Sequence, residues 1–484
     1  MIMNLNHVKY IYESSNHPEF RAFHLFLWCL IIVSGWYAGI NEDSIAANVS
    51  FTDDRYMQVG VATVDITPSE PIRLSGYITR EQESEGVLQR LEAKALAFGS
   101  DDQGPSLFIT VDLIGVPGHI TVELRNRLSE RANINASQVI ISSSHTHTGP
   151  EIGHTLNIYG ERLPADQLGR IIKYSKNLIQ KLEEVAMMAL EKRRPSLVSW
   201  GQGTATFAVN RRVIEDGRWV AFGVNPDGPV DHSLPLLQIT DLEGNITALL
   251  VNYACHGTTL GPEINKFHND WMGETKRIIE QRHPGSTVLV SIGAGADANP
   301  EPRLDLEHTI QHGKEIADEV DRILTTSLQP ITTPPVGAYK EIELPFADVP
   351  TIDELVEQAN ADWGEGYYAK AALERIARGE SLPESLIYPI QTWTFGDDLS
   401  MVFLAGEVVA DYSLRLKEEI RNQHLWVTAY ANDVPGYIAS SRVIKEGGYE
   451  VDLSMYYYNQ PSRFAEEIED MIIQTVHELL KLKE

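Results

Sequence analysis

His145 and His147 stand two positions apart in Ser144-His145-Thr146-His147-Thr148-Gly149-Pro150, directly after an apolar run over 138–143. Side chains two apart on an extended chain point the same way, so both imidazoles project into one cleft, as a metal ligand and an outer partner. A hydrogen-bonded polar strand end has the same pattern, so the pair alone leaves both readings open. His256 follows a second apolar run, 246–253, and Glu407 a third, 401–404. A lone His after a strand is commonly satisfied structurally. A carboxylate just beyond an apolar run and a Gly, however, is costly to bury unless a cation or donors compensate it. The combination of imidazoles and a carboxylate at strand ends suits a divalent cation. With only two cysteines, Cys29 and Cys255, a Cys-rich zinc module is excluded.

Competing motifs fail on context. Gly293-Ala294-Gly295-Ala296-Asp297-Ala298 imitates a dinucleotide fingerprint, but Asn299-Pro300-Glu301-Pro302 interrupts the helix that should follow. His308 and His312 have i, i+4 spacing without the general-base Glu of the metalloprotease motif, which predicts a solvated helix face. There is no Gly-x-Ser-x-Gly elbow. Cys255 and His256 are adjacent on an extended chain and point to opposite faces, so Cys255 reads as a small buried residue rather than a nucleophile.

These residues need a scaffold. Strand patterns occur at 56–66, 106–113, 138–143, 246–253, 287–292, 401–404 and 426–430, and helical periodicity at 118–132, 168–191, 307–325, 352–360, 367–378 and 464–482. The fold class is therefore α/β, with mixed β-sheets flanked by helices in one large catalytic domain over 48–484. Polar and small residues cluster where strands end, the usual place for chemistry in such folds. The 484 residues carry a net charge of −28 and a pI near 4.9, which disfavours nucleic acid as a partner. Residues 23–40 are nearly uncharged, with Lys9 and Arg21 before them and a polar stretch after. That pattern predicts an export signal within 1–47, or an uncleaved anchor allowing membrane-surface association, and hence a secreted or periplasmic location. No later stretch is long and apolar enough to span a membrane. Oligomeric state has no signature in the sequence.

Taken in order, these segments resemble the catalytic domain of the neutral/alkaline non-lysosomal ceramidase family. The similarity starts at Val59-Gly60-Val61-Ala62-Thr63-Val64-Asp65-Ile66-Thr67-Pro68 and runs to Tyr449-Glu450, without the family's trailing immunoglobulin-like domain. The His-Thr-His loop is similar to the family's Thr-His-Thr-His-Ser-Gly-Pro, which implies His145 as a zinc ligand and His147 as an active-site partner. The resemblance implies His256, Glu407 and Tyr437 as the remaining ligands. It further implies Tyr449, twelve positions after Tyr437, as a second active-site Tyr, and Arg211 of Asn210-Arg211 near the substrate carbonyl, with Arg212 as the neighbouring alternative. Where the family has Gly-Asp-Val-Ser-Pro-Asn, this chain reads Ala296-Asp297-Ala298-Asn299-Pro300, so Asn299 replaces the family's Ser. Asn donates hydrogen bonds but is no nucleophile.

The activity implied is an exported zinc-dependent amidohydrolase acting on ceramide or another N-acyl substrate through activated water, with Zn²⁺ as cofactor. In that mechanism His147 moves protons, Arg211 and Tyr449 stabilise negative charge, and Asp297 or Asn299 positions polar groups. Two alternatives stay open: a metal-assisted lyase or hydrolase of an acidic glycan, and a non-catalytic protein that retains the metal. The partner is a small molecule, lipid or glycan in each case.

Overall fold

The described residues form eighteen strands: β1 (Met57–Asp65), β2 (Glu92–Phe98), β3 (Ser106–Val111), β4 (Val139–Ser143), β5 (Arg194–Thr204), β6 (Ala208–Glu215), β7 (Arg218–Asn225), β8 (Ser233–Thr240), β9 (Ile246–Tyr253), β10 (Thr287–Ile292), β11 (Ala298–Pro300), β12 (Gln329–Ile331), β13 (Val336–Pro345), β14 (Ser385–Phe395), β15 (Leu399–Leu404), β16 (Glu407–Val408), β17 (Leu425–Thr428) and β18 (Tyr437–Ile438). The computed structural model describes residues 55–153, 163–361, 363–420 and 424–481. The expected signal or anchor in 1–47 lies outside the described residues. Among those described, no helix is long and apolar enough to cross a membrane.

The principal sheet runs β10-β9-β8-β5-β1-β2-β3-β4, with β12 added against β5. It is mixed: β3 pairs parallel with β4 and β9 parallel with β10, the other pairs being antiparallel. Side-chain alternation explains how it is covered. On β2, Ala93, Ala95 and Ala97 pack beneath helices α1 (Gly118–Ala132) and α2 (Ala165–Glu191). Leu96 and Phe98 point the other way, onto Trp393, Phe395, Met401 and Phe403 of a second sheet, ordered β13-β14-β15-β17. The far face of that sheet carries Tyr388, Ile390, Val402 and Leu404 against Ile472, Ile473 and Val476 of the helix Ile468–Lys481. The result is helix, sheet, sheet, helix in layers, so mixed sheets are flanked by helices as the sequence predicts.

One feature of the topology builds the site. The edges of the principal sheet, β4 and β10, approach each other, and the backbone that follows β17 fills the gap. Ala429 N–H donates to Ile292 C=O (2.9 Å), while Ser143 N–H donates to Tyr430 C=O (3.2 Å) and Asn432 N–H to Ile141 C=O (2.7 Å). The loops after β4, β9 and β15 are thereby gathered at one end, and an isolated bridge ties Thr146 to Gly257.

Helix α3 (Asp270–Arg282) is absent from the expected helices because its buried face mixes Asp270, Glu274 and Lys276 with Trp271, Met272 and Ile279, which blurs the periodicity. Helix α4 (Leu306–Leu324) corrects a second expectation. His312 is buried, stacks on Phe207 with centroids 4.3 Å apart and places Nε2 2.6 Å from Pro302 C=O. It is therefore no solvated face. Burial holds its imidazole below the usual range.

Candidate metal centre

Each of three imidazoles is oriented by a backbone carbonyl. His145 Nδ1 lies 2.7 Å from Ile114 C=O, His147 Nδ1 3.1 Å from Gly76 C=O, and His256 Nδ1 3.3 Å from Gly295 C=O. A carbonyl only accepts, so Nδ1 carries the proton in all three rings and each Nε2 is left with a bare lone pair. Those lone pairs converge: His145 Nε2 is 3.1 Å from His256 Nε2 and 3.3 Å from His147 Nε2. Glu407 completes the cluster, with Oε2 3.1 Å from His145 Nε2 and 3.3 Å from His256 Nε2. Burial pushes the His147 and His256 imidazoles down, the latter to about 3, with the Arg211 charge adding to the effect on His256. Burial alone would raise Glu407, but the neighbouring His145 and His256 hold it well below the ordinary carboxylate range.

Lone pairs facing one another at these distances repel unless something positive sits among them. Glu407 Oε1 accepts from Tyr458 Oη, whereas Oε2 is buried and has no hydrogen-bond partner among the described residues. A carboxylate oxygen beside the Nε2 atoms of His145 and His256, with His147 Nε2 adjoining, is a donor set that could hold a transition-metal ion, and nitrogen with oxygen donors is compatible with zinc. His145, His147 and His256 alone place one ligand atom each within 4.8 Å of one another.

Local structure explains the placement. His145 adopts a left-handed conformation (φ 54°) that turns its ring inward from the end of β4. Its neighbour Ser144 is anchored by a buried polar chain, in which Ser144 Oγ donates to Asn269 Oδ1 (2.6 Å), Asn269 Nδ2 to Asp112 Oδ1 (2.7 Å), and Lys276 Nζ to Asp112 Oδ2 (2.7 Å). Gly76, at φ 93°, carries the carbonyl that orients His147, and a Cβ there would lie 2.5 Å from the His147 ring, so no side chain is accommodated. Glu407 opens β16, which pairs in parallel with β18 and sets Glu407 opposite Tyr437.

Side-chain alternation on β6 separates Arg211 from Arg212. Arg211 faces the cluster, donating to Tyr437 Oη (3.1 Å) and His256 Nε2 (3.3 Å). Arg212 turns away to Glu446 and Gly447 C=O. The carboxylate of Glu450 receives both, Arg211 Nε at 2.9 Å and Arg212 Nη1 on the other oxygen. Arg211 also sits over the rings of Phe222, Tyr437 and Tyr449, at 5.0, 5.6 and 5.8 Å from their centroids.

Two expected site residues stand apart from the cluster. Asp297 Oδ1 accepts from Ala410 N–H (2.9 Å) and Oδ2 from Asn210 Nδ2 (3.0 Å), so it braces the backbone on either side of the site. Asn299 Oδ1 accepts from Thr258 Oγ1 at 3.2 Å. Neither lines the cleft of about 160 Å³ beside the imidazoles, whose walls include His145, His147, Glu407, Tyr437, Tyr449, Tyr77, Tyr457, Tyr458, Arg73 and Glu151. Sequence reading missed Glu450 as the shared anchor, Tyr458 as the partner of Glu407, and the pair Arg73 and Glu151. Nothing in their local sequence marks them.

Glu151 is buried, and burial raises its carboxyl to about 7 against a partial opposing pull from Arg73. A carboxyl raised on folding destabilises the fold once ionised. Its contribution is therefore fully present below the unfolded value near 4.5 and lost as pH rises through about 7. We expect Glu151→Gln to match the wild type near pH 4.5 and to exceed it in unfolding free energy at pH 8, by up to about 3 kcal/mol, in denaturant titrations at both pH values.

Comparisons with known proteins follow this geometry. A family model, neutral/alkaline non-lysosomal ceramidase, N-terminal, matches residues 57–295. Neutral ceramidase A of Dictyostelium discoideum is 22% identical over 283 residues, covering 56% of this chain and 38% of that protein. Neutral ceramidase B of the same organism is 23% identical over 250 residues, covering 49% and 33%. The match thus spans between a third and two fifths of the length of these two curated relatives. The crystal structure of neutral ceramidase from Pseudomonas aeruginosa superposes with a TM-score of 0.68 at 15% identity, over 89% of this chain and 75% of that one, a likeness of fold.

Proposed function

Because the chain belongs to the neutral/alkaline non-lysosomal ceramidase family, we propose that it is an exported zinc-dependent hydrolase cleaving the amide bond of ceramide or a related N-acyl compound. The observation that carries this reading is the convergence of three imidazole Nε2 atoms, two of them, on His145 and His256, directly facing Glu407 Oε2. His145, His256 and Glu407 would hold the ion, with His147 and Tyr437 flanking it. Zinc at such a site supplies Lewis acidity toward a carbonyl and a nucleophile from water near neutral pH.

The remaining work falls to this chain's own groups. Arg211, fixed by Glu450 and aimed past Tyr437 at His256, presents fixed positive charge to a developing oxyanion and needs no reorganisation to do so. Burial keeps the phenol of Tyr449 protonated, so it is a hydrogen-bond donor at the cleft. His147 Nε2, its Nδ1 proton committed to Gly76, is the base available to accept and return a proton. Asn299, tied to Thr258, contributes no nucleophile, so direct attack by water replaces any covalent intermediate. The apolar stretch over 23–40 carries the export reading.

The test is metal analysis of purified protein with a screen of N-acyl sphingoid, N-acyl amino acid and uronate-containing glycan substrates. We expect about one zinc per chain and amide hydrolysis that a chelator removes and zinc restores. Turnover of uronate glycan alone would overturn the reading in favour of a glycan enzyme.

A further inference from the structure

The cations around the cleft are not equivalent. Arg80 commits its guanidinium to the backbone carbonyls of Ser75, His147, Gly261 and Pro262. Arg211 is committed to Glu450 and Tyr437. Among the described residues Arg73 makes no hydrogen bond from its guanidinium and one ion pair, with Glu151 Oε2 3.9 Å from Nε. That carboxylate likewise makes no side-chain hydrogen bond among them, although only 8% of the Glu151 side chain is exposed. Both groups line the cleft that holds His145, His147 and Glu407.

The backbone fixes this pair. Glu151 N–H donates to Arg73 C=O (2.8 Å) and Ser75 N–H to Gly149 C=O (3.1 Å), around an antiparallel bridge between Leu74 and Pro150. The same two segments carry Gly76 and His147. The pair is therefore tethered to the metal cluster by three residues on one side and four on the other.

We propose that Arg73 and Glu151 form a subsite for a neutral, polyhydroxylated portion of the substrate, such as the sugar ring of an N-acylated amino sugar. The chemistry selects this class. A guanidinium only donates hydrogen bonds and a carboxylate only accepts them, while a hydroxyl does both, so neighbouring hydroxyls satisfy the two together. An anion, whether a uronate or an N-acyl amino acid, gains Arg73 but meets Glu151. A cation meets Arg73. Tyrosine rings at Tyr77 and Tyr457 supply apolar faces for a saccharide in the same cleft. On the opposite flank, Arg211 and Tyr449 abut Phe222, whose exposed neighbours on β7, Val220 and Val224, offer an apolar path for an acyl chain.

The inference rests on the hydrolase reading for turnover but not for binding, and the experiment keeps the two apart. Binding of N-acetylglucosamine, N-acetylcyclohexylamine and glucuronate to the purified full chain is measured by calorimetry at about pH 8.5, where Glu151 is ionised, for the wild type, Arg73→Met, Arg73→Lys and Glu151→Gln. We expect the wild type to favour N-acetylglucosamine over the other two. Arg73→Met and Glu151→Gln each weaken it by about 10–100-fold, the loss of a charge-assisted hydrogen bond, without changing N-acetylcyclohexylamine. Arg73→Lys retains part of the affinity. Equal binding of the two amides, tighter binding of glucuronate, or no binding of N-acetylglucosamine at millimolar concentration overturns the subsite. In the turnover arm, N-octanoylglucosamine is compared with N-octanoylcyclohexylamine. Selective binding without hydrolysis of either amide would sink the hydrolase reading and leave the subsite standing.

Discussion

Glu407→Ala should empty the metal centre and reduce kcat/KM by at least ~10³-fold, because Lewis-acid stabilisation of a transition state is worth several kcal/mol and each 1.36 kcal/mol is tenfold in rate. Glu407 is the anionic member of the cluster and lies within 3.3 Å of two imidazole Nε2 atoms. Its Oε1 is held by Tyr458, so Oε2 has little freedom to turn elsewhere. Without this carboxylate, neutral imidazoles face one another and the positive Arg211 lies beside His256, a field that disfavours a dication. His145→Ala should have the same effect, and the double variant should be scarcely worse than either single one, since both remove one functional unit. Metal content and kcat/KM measured on the three proteins check this. Full activity in Glu407→Ala would move the chemistry away from this cluster.

The second large effect concerns stability. Glu450→Ala should lower the unfolding free energy by about 3–5 kcal/mol, the cost of breaking a buried ion pair from one side only. The Glu450 side chain is wholly inaccessible, and its carboxylate answers two buried guanidinia, Arg211 through Nε and Arg212 through Nη1. Arg212 keeps Glu446 and Gly447 as partners, whereas Arg211 keeps no carboxylate hydrogen bond among the described residues, only neutral partners: the phenol of Tyr437, the His256 ring and the aromatic faces around it. The uncompensated charge therefore falls beside the metal cluster. Glu450→Gln, which keeps one acceptor oxygen, should lose about half as much. Chemical denaturation of the three proteins measures both, and a loss under about 1 kcal/mol for the alanine variant would show that water or a neighbour takes over the pairing. Turnover should fall as well, since Arg211 loses the group that aims it.

The strand patterns at 246–253 and 287–292 coincide with β9 and β10, and the helical periodicity at 118–132 coincides with α1. Those patterns are local: apolar alternation and 3.6-residue spacing follow from which face of an element is buried. Helix α3 does not show in the periodicity because its buried face carries charge, whose partners Glu92, on β2, and Asp112, just after β3, lie far off in the chain.

The sequence by itself determined the α/β class, those elements whose apolar period is regular, the strand-end placement of His145, His256 and Glu407, the loss of a hydroxyl at position 299 and the family resemblance, because each is written in contiguous residues. The tertiary structure decided the rest. It made Arg211 rather than Arg212 the cation at the cluster and brought His147 as close to His145 as a ligand would be. It set Asp297 to bracing backbone and left the Arg73 and Glu151 side chains next to each other with no side-chain hydrogen bond among the described residues. Each of these depends on contacts between segments tens to hundreds of positions apart, and they meet only because the Ala429-to-Asn432 backbone bridges two sheet edges. Convergence of that kind has no period and leaves no mark in local sequence.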